Sequence, residues 1–224
     1  MQKVTALIVA AGNGTRMNSR VKKQFLLIKD IPVIVHTVLA FEKSEIIDDI
    51  VIVTAKEDIA KTNGLVKQYG LNMVSDIVAG GDTRTDSVRN GLMYVKSDFV
   101  AIHDGVRPCI KEERIKQVVE EAKKYGGAAL GAPVTDTLKA VDGDEIKSTV
   151  DRRNLWQIQT PQCFDTVALK DAYAKNEGLT YTDDCQIFES RGLSVKVVAG
   201  DKSNIKITTE EDFELAEFLL KKKE

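Results

Sequence analysis

The stretch VTALIVAAGNGTRM (residues 4–17) decides the fold class. Seven apolar or small residues make a short run of strand length, and the chain passes without a break into a small-residue loop, Ala10-Ala11-Gly12-Asn13-Gly14-Thr15-Arg16-Met17. A buried strand that ends in such a loop is how open α/β sheets present a ligand site at their carboxyl edge. Working outward, five further apolar runs follow: DIVIVTA (49–55), MVSDIVA (73–79), DFVAIHD (98–104), GAALGAPV (127–134) and LSVKVVA (193–199). Between and after them, apolar residues three and four apart predict helices near 32–43, 57–69, 85–95, 112–125, 166–175, 183–190 and 209–222. Strands separated by helices favour right-handed βαβ units in a mostly parallel sheet with helices on both faces. The last helix carries a start signal in Thr208-Thr209-Glu210-Glu211-Asp212, with hydroxyls for a cap and acids at the positive end of the dipole.

Residues 133–158 break this rhythm. They form two polar, β-prone halves about Val141-Asp142-Gly143-Asp144, the signature of a hairpin. A two-stranded ribbon this poor in apolar residues is marginal alone, so a second copy of the chain is the expected support for the arm. No other segment suggests a second domain, and the chain is read as one domain, 1–224, carrying this arm.

Composition narrows the function. Of 224 residues, 43% are hydrophobic and 29% charged, the balance of an ordinary globular chain, and 32 basic against 34 acidic residues leave no excess of positive charge for nucleic acid. No apolar run approaches the roughly 20 residues of a membrane span, and the N-terminal sequence does not resemble a secretory leader. Three scattered cysteines, Cys109, Cys163 and Cys185, with no CxxC pair argue against disulfides or structural zinc and for a reducing, cytoplasmic setting.

In the first loop, Gly12 and Gly14 can let backbone N–H groups approach a polyphosphate. Met17 spoils a dinucleotide fingerprint, and the chain has no Walker loop. Arg16, Arg20, Lys22 and Lys23 follow closely, so that one or two of them can converge on the same phosphates while the others face water. A second cluster, Gly80 to Ser87, opens a helix. Asp82 or Ser87 can cap that helix, and Gly81, Asp82 and Ser87 can equally serve the edges of a base or ribose. Asp104, at the end of the strand 98–104, is the candidate ligand for Mg²⁺, a hard cation bound through one or two carboxylates plus phosphate oxygens. His103 reads as a hydrogen-bonding neighbour and His36 as core-facing or partly buried. With only two histidines at unrelated positions, a His-rich metal site is excluded.

The ordered set AAGNGTRM, KKQF, AGGDTRTDSV, HDGVRP, PVTDTLK, TVDRRNLWQIQTPQ and NIKIT, spread over residues 5 to about 219, resembles the 2-C-methyl-D-erythritol 4-phosphate cytidylyltransferase family, CTP-using enzymes of the non-mevalonate isoprenoid pathway. The resemblance implies a Rossmann-like nucleotidyltransferase fold and a homodimer in which the β-arm crosses to the partner. It implies that Ala10, Ala11, Gly12, Gly14, Arg16 and Lys23 grip the CTP phosphates. Gly81, Asp82 and Ser87 would then hold cytosine and ribose, Asp104 would ligate Mg²⁺, and Lys206 would contact the reacting phosphate. Arg107 and Thr160 would line the polyol phosphate pocket, completed by Thr137 and Arg152 from the partner's arm. The pattern departs at Gly105-Val106, where many relatives have Ala-Ala, a change in bulk near the substrate.

Two other readings compete. A ribitol-5-phosphate cytidylyltransferase shares the fold and nucleotide, but Asp136-Thr137-Leu138-Lys139 followed by Arg153-Asn154-Leu155-Trp156 fits the erythritol enzyme better. An inactive nucleotide-binding module is disfavoured by the joint presence of Arg16, Lys23, Asp104 and Lys206.

Overall fold

The computed structural model describes residues 2–12, 21–176 and 178–222. The described residues form eleven strands and seven α-helices. The strands are β1 (Val4–Ala10), β2 (Leu27–Ile28), β3 (Ile31–Pro32), β4 (Asp49–Thr54), β5 (Val74–Ala79), β6 (Phe99–Asp104), β7 (Gly127–Pro133), β8 (Leu138–Asp142), β9 (Glu145–Val150), β10 (Trp156–Asp165) and β11 (Lys196–Ala199). The helices are α1 (Val33–Glu42), α2 (Ile59–Tyr69), α3 (Arg84–Leu92), α4 (Glu112–Tyr125), α5 (Thr166–Lys175), α6 (Asp184–Glu189) and α7 (Glu210–Lys221).

Seven strands form one sheet in the order β11-β7-β10-β6-β1-β4-β5, with β2-β3 and β8-β9 as separate ribbons. Neighbours in the large sheet are parallel except at β10, which runs antiparallel to both β6 and β7. The strand period of two divides β1 between two cores: Val4, Ala6, Ile8 and Ala10 pack with α1, α2 and α4, while Leu7 faces the core built with α3, α5 and α6. Helices thus cover both faces, and the family of α/β sheets with this pattern opens its ligand crevice at the carboxyl ends of the strands. Here chain connections diverge beside β1 and β6, leaving that crevice between them. A third, smaller apolar cluster of Ile28, Val33, Cys109, Ile207 and Ala216 docks α7 beside it.

Three expectations change. Strand β10 was not foreseen as one element: Trp156–Ile158 are expected in the hairpin arm, Gln159, Thr160, Pro161 and Gln162 carry no strand signal, and proline is rare in a central strand. The sheet accommodates it because the β10–β7 register shifts between Ile158 and Gln162, so no ladder hydrogen bond is required of Pro161. The arm is correspondingly shorter than 133–158. Its hairpin is β8 and β9, turning at Gly143 in the left-handed region (φ 56°), whereas Pro133 and Trp156–Ile158 belong to the edges of β7 and β10. The cap of α3 also differs. Thr83, not Asp82 or Ser87, accepts the Asp86 N–H, and the Asp86 carboxylate returns the bond to the Thr83 N–H. Thr209 and Asp212 repeat this capping box on α7, as the hydroxyl and acid pattern there anticipated.

Candidate functional site

A cavity of about 730 Å³ opens where β1, β4, β5 and β6 end. That is the size range of small-molecule sites. Val9 to Gly12 come from β1 and its loop, Lys23 and Gln24 from the short 3₁₀ turn Lys23–Phe25, and Gly80 to Arg84 with Ser87 from the β5–α3 connection. Asp104 and Val106 follow β6, and Lys206, Ile207 and Thr208 precede α7. Segments separated by up to 200 residues of chain therefore share one space. Arg16 and Gly14 lie outside the described residues.

The cationic run resolves into separate duties. Lys22 Nζ is held by Glu57 Oε1 and Asp58 Oδ2, each at 2.6 Å, so its charge is spent on the protein. Lys23, one residue on, lines the cavity and donates to the Thr208 carbonyl at 3.2 Å, which brings it beside the Lys206 segment. Buried Gln24 donates to the carbonyls of Ala10 (2.9 Å) and Gly12 (3.4 Å) and so pins the first loop. Gln24 was missed as a site residue, although it stands inside KKQF; an amide in a basic run carries no visible charge signal.

At the second cluster, the glycines are required by close approach. A Cβ at Gly80 would lie 2.5 Å from the Ala11 Cβ, and one at Gly81 would lie 2.4 Å from the Asp86 Cβ. Buried Ser87 donates its hydroxyl to the Thr83 carbonyl (2.9 Å) and accepts the Gly81 N–H (3.2 Å), so it shapes the loop whose backbone faces the cavity. Asp82 is exposed at the rim.

Asp104 sits at the centre of the charge. Its Oδ2 is 3.0 Å from Lys206 Nζ and 3.3 Å from Arg107 Nε, and its Oδ1 is 3.6 Å from Arg84 Nε. Burial alone would raise its pKa, but Lys206, Arg84 and Arg107 outweigh burial and hold the carboxyl well below the usual carboxylate range. The Arg107 guanidinium, mostly buried, also donates to the Asn204 carbonyl at 2.7 Å and does not line the cavity. Arg84 has no distinguishing signal within AGGDTRTDSV; its role becomes visible because its far side binds Asp184 Oδ2 at 2.7 Å.

Thr160 is placed differently from the expectation that it lines a substrate pocket. It is 4% exposed, and its hydroxyl accepts the Asp104 N–H (3.1 Å) and bonds His103 Nδ1 (3.0 Å). Because the Arg107 carbonyl can only accept, His103 Nε2–H donates to it at 3.2 Å, and in the neutral ring Nδ1 then accepts the Thr160 hydroxyl proton. One neutral imidazole thus ties both ends of the 104–107 turn. Burial pushes the His103 pKa down to about 3, against partial compensation by Asp104. A depressed pKa means that the group stabilises the fold above its unfolded value of about 6.5, and that this contribution is lost as pH falls towards the folded value. We expect urea midpoints to decline below pH 6.5, and His103→Gln to flatten that decline.

His36 is half-buried, with Nε2 on the Ile28 carbonyl at 2.9 Å. Thr137 and Arg152 are exposed on the arm and do not line the cavity of their own chain. At Gly105 a Cβ would point back at the Ala10 Cβ (2.8 Å) and the Val9 carbonyl (3.2 Å), so bulk there presses on β1, while Val106 faces the cavity. Among the described residues no group of three His, Cys, Asp or Glu is placed to cage a metal. Of the three carboxylates that line the cavity, Glu57 is tied to Lys22 and Asp82 stands at the exposed rim, so Asp104 is the hard-oxygen ligand placed inside it, which suits an ion shared with phosphate oxygens.

The family model for 2-C-methyl-D-erythritol 4-phosphate cytidylyltransferase matches residues 4–222. The chain belongs to that family. Relatives of that name from Syntrophus aciditrophicus (43% identical, 99% of this chain and 97% of the relative) and Caldanaerobacter subterraneus subsp. tengcongensis (45%, 98% and 99%) align over almost their whole lengths. Among solved structures, 4-diphosphocytidyl-2C-methyl-D-erythritol synthase from Anaerococcus prevotii superposes with a TM-score of 0.86 at 31% identity, covering 98% of this chain and 96% of that one. The Thermus thermophilus 2-C-methyl-D-erythritol 4-phosphate cytidylyltransferase gives 0.80 at 29%, covering 99% and 100%. As a cytidylyltransferase of this family, the chain transfers the cytidylyl group of CTP to 2-C-methyl-D-erythritol 4-phosphate, releasing pyrophosphate and forming 4-CDP-2-C-methyl-D-erythritol. Among the described residues, no helix is long and apolar enough to cross a membrane.

Proposed function

We propose that the cavity between the ends of β1 and β6 is the CTP site and that Lys23, Lys206 and Asp104 are its reacting-centre residues, with Arg16 as a further cation from the preceding loop. The observation that carries this reading is the convergence of Lys23, Lys206 and Asp104 on one space from three distant parts of the chain. Ala10, Ala11, Gly12 and Gly14 take the phosphates through backbone N–H groups. Gly81 and Asp82 meet cytosine and ribose on a loop that Ser87 holds in shape. Asp104, with phosphate oxygens, would hold Mg²⁺, which when bound supplies neutralising positive charge at the triphosphate.

In the reaction, an oxygen of the polyol's phosphate monoester forms a bond to the α-phosphorus of CTP as the bond from that phosphorus to the β-phosphate bridging oxygen breaks, and its electron pair leaves with pyrophosphate. With a second pKa near 6, the attacking monoester is already mostly dianionic at pH 7. No general base is needed, which agrees with a site whose buried His103 is committed to the protein backbone and Thr160. The task left to the protein is to bring two anions into line, and Lys23 and Lys206 do this by offsetting their repulsion.

The polyol phosphate is assigned to Thr137 and Arg152 of a partner's arm, with Arg107, which does not line the cavity, acting through Asp104, and Thr160 through Asp104 and His103. Supporting the homodimer, the arm exposes Val141, Ile146 and Val150, with Leu155, Trp156 and Ile158 exposed at its base, an apolar surface its own chain leaves open. The three cysteines, all buried and free, accord with a reducing cytoplasm. A pyrophosphate-release assay crossing four nucleoside triphosphates with 2-C-methyl-D-erythritol 4-phosphate and ribitol 5-phosphate tests the reading. We expect release with CTP and the erythritol phosphate; preference for ribitol 5-phosphate would favour the alternative substrate, and no release with any pair would reject the site.

A further inference from the structure

We propose that Asp184 is a positioning residue that keeps Arg84 from closing on Asp104, and so leaves Asp104 open to a divalent cation; this rests on the reading of Asp104 as the cation's ligand. Asp184 is fully buried at the start of α6, behind the cavity wall. Its Oδ2 takes Arg84 Nη2 at 2.7 Å, and its Oδ1 takes the Tyr173 hydroxyl at 2.6 Å. Its backbone N–H donates to Gln162 Oε1 at 3.0 Å, which fixes the turn that carries it. The other side of the same guanidinium reaches the cavity, where Arg84 Nε stands 3.6 Å from Asp104 Oδ1, beyond a direct hydrogen bond.

The arrangement divides one cation between two carboxylates, unequally. Three cations, Arg84, Arg107 and Lys206, surround Asp104. Arg107 has a second anchor in the Asn204 carbonyl, and Lys206 is half-exposed and can turn towards a phosphate or water. Arg84 is held inside and has the buried Asp184 as its short-range partner. Without that carboxylate, Asp104 is the remaining anion in reach, and the guanidinium would move onto the oxygen that now stands clear. A buried ion pair is a costly way to join two helices, since well-packed apolar residues of similar volume serve as well or better. Control of the charge on a neighbouring carboxylate is what the pair adds.

The test is the Mg²⁺ dependence of CTP binding, followed by calorimetry, beside that of turnover. Asp184→Asn should raise the Mg²⁺ concentration at half-effect roughly tenfold in both, as losses of outer partners of metal ligands do. Its kcat at saturating Mg²⁺ should stay close to that of the parent chain. Adding Arg84→Gln to Asp184→Asn removes the competing cation, and the midpoint should return to the parent value or below. A folded Asp184→Asn chain with an unshifted midpoint, or one that loses kcat at saturating Mg²⁺ instead, would overturn the proposal. Should the single variant not fold, the double variant, which removes both charges of the pair, decides alone: a midpoint raised severalfold would overturn the role. Asp104→Asn separates the two readings, because an unchanged Mg²⁺ midpoint there removes Asp104 as the ligand whatever Asp184 does.

Discussion

Replacing Lys23 by alanine is expected to lower kcat about 10²-fold while leaving the unfolding free energy within about 0.5 kcal/mol of the parent's. The two halves of that expectation have different physical sources. One preorganised donor to developing charge contributes roughly 3 kcal/mol to the transition state in a site of this kind. Lys23 is only partly buried, its amine faces the cavity, and the 3₁₀ turn that carries it is anchored by buried Gln24 and Phe25. Lys22→Ala makes the control. It removes a cation of the same run whose contacts are to Glu57 and Asp58, so it should cost far less kcat. Equal losses in the two variants, or none at Lys23, would remove Lys23 from the reacting centre. The same variant tests the arm. In a mixture with Arg152→Ala chains, exchange into mixed dimers rebuilds one intact site per mixed dimer, and about a quarter of the parent activity should return. No recovery on mixing, once exchange is shown, would mean that arm and cavity act within one chain.

Asp104→Asn is expected to abolish measurable turnover, a loss of roughly 10²-fold or more, and to destabilise the chain by about 3 kcal/mol. The stability loss arises because the carboxylate is the shared partner of buried charges. Lys206 can swing into water, and Arg84 keeps Asp184, but Arg107 is left beneath the surface with the Asn204 carbonyl as its remaining anchor. Leaving one partner of a buried pair uncompensated costs far more than the pair contributes when intact. Adding Arg107→Gln should therefore recover much of the denaturation midpoint without recovering turnover. If the double variant is no more stable than Asp104→Asn, the stability of this turn does not depend on the charge pair, and the picture of a balanced cluster fails.

The residues differ in how far their parts in this site could be read in advance. The first strand, its glycine loop and the acid at the end of β6 are legible because each is a local pattern: an apolar run of strand length, then a residue type that suits a ligand site at a sheet's carboxyl edge. The capping boxes are equally local, yet the one on α3 was assigned to Asp82 or Ser87. Five of the six residues from Asp82 to Ser87 carry a side-chain oxygen able to cap, and only the backbone path selects Thr83. Strand β10 was illegible for a physical reason. Its polar residues Gln159, Thr160 and Gln162 are satisfied by Asn204, His103, Asp183 and the α6 backbone, partners that are not neighbours in sequence. Buried polar residues that are paired over such separations look like loop until the partners are in place.

Sequence by itself carried the class of fold, the alternation of strand and helix and the hairpin about Gly143, which depend on periodicity and turn chemistry held in the linear chain; the seven ordered motifs added a resemblance to a family, and the reaction was expected from that resemblance. Tertiary structure alone decided that Lys22 faces Glu57 and Asp58 while Lys23 faces the cavity, that Thr160 serves His103 and Asp104, and that Arg84 is shared between Asp104 and Asp184. Charges act through distances of a few ångströms. Those distances exist only once the sheet has brought the ends of β1, β5, β6 and the segment before α7 to one edge.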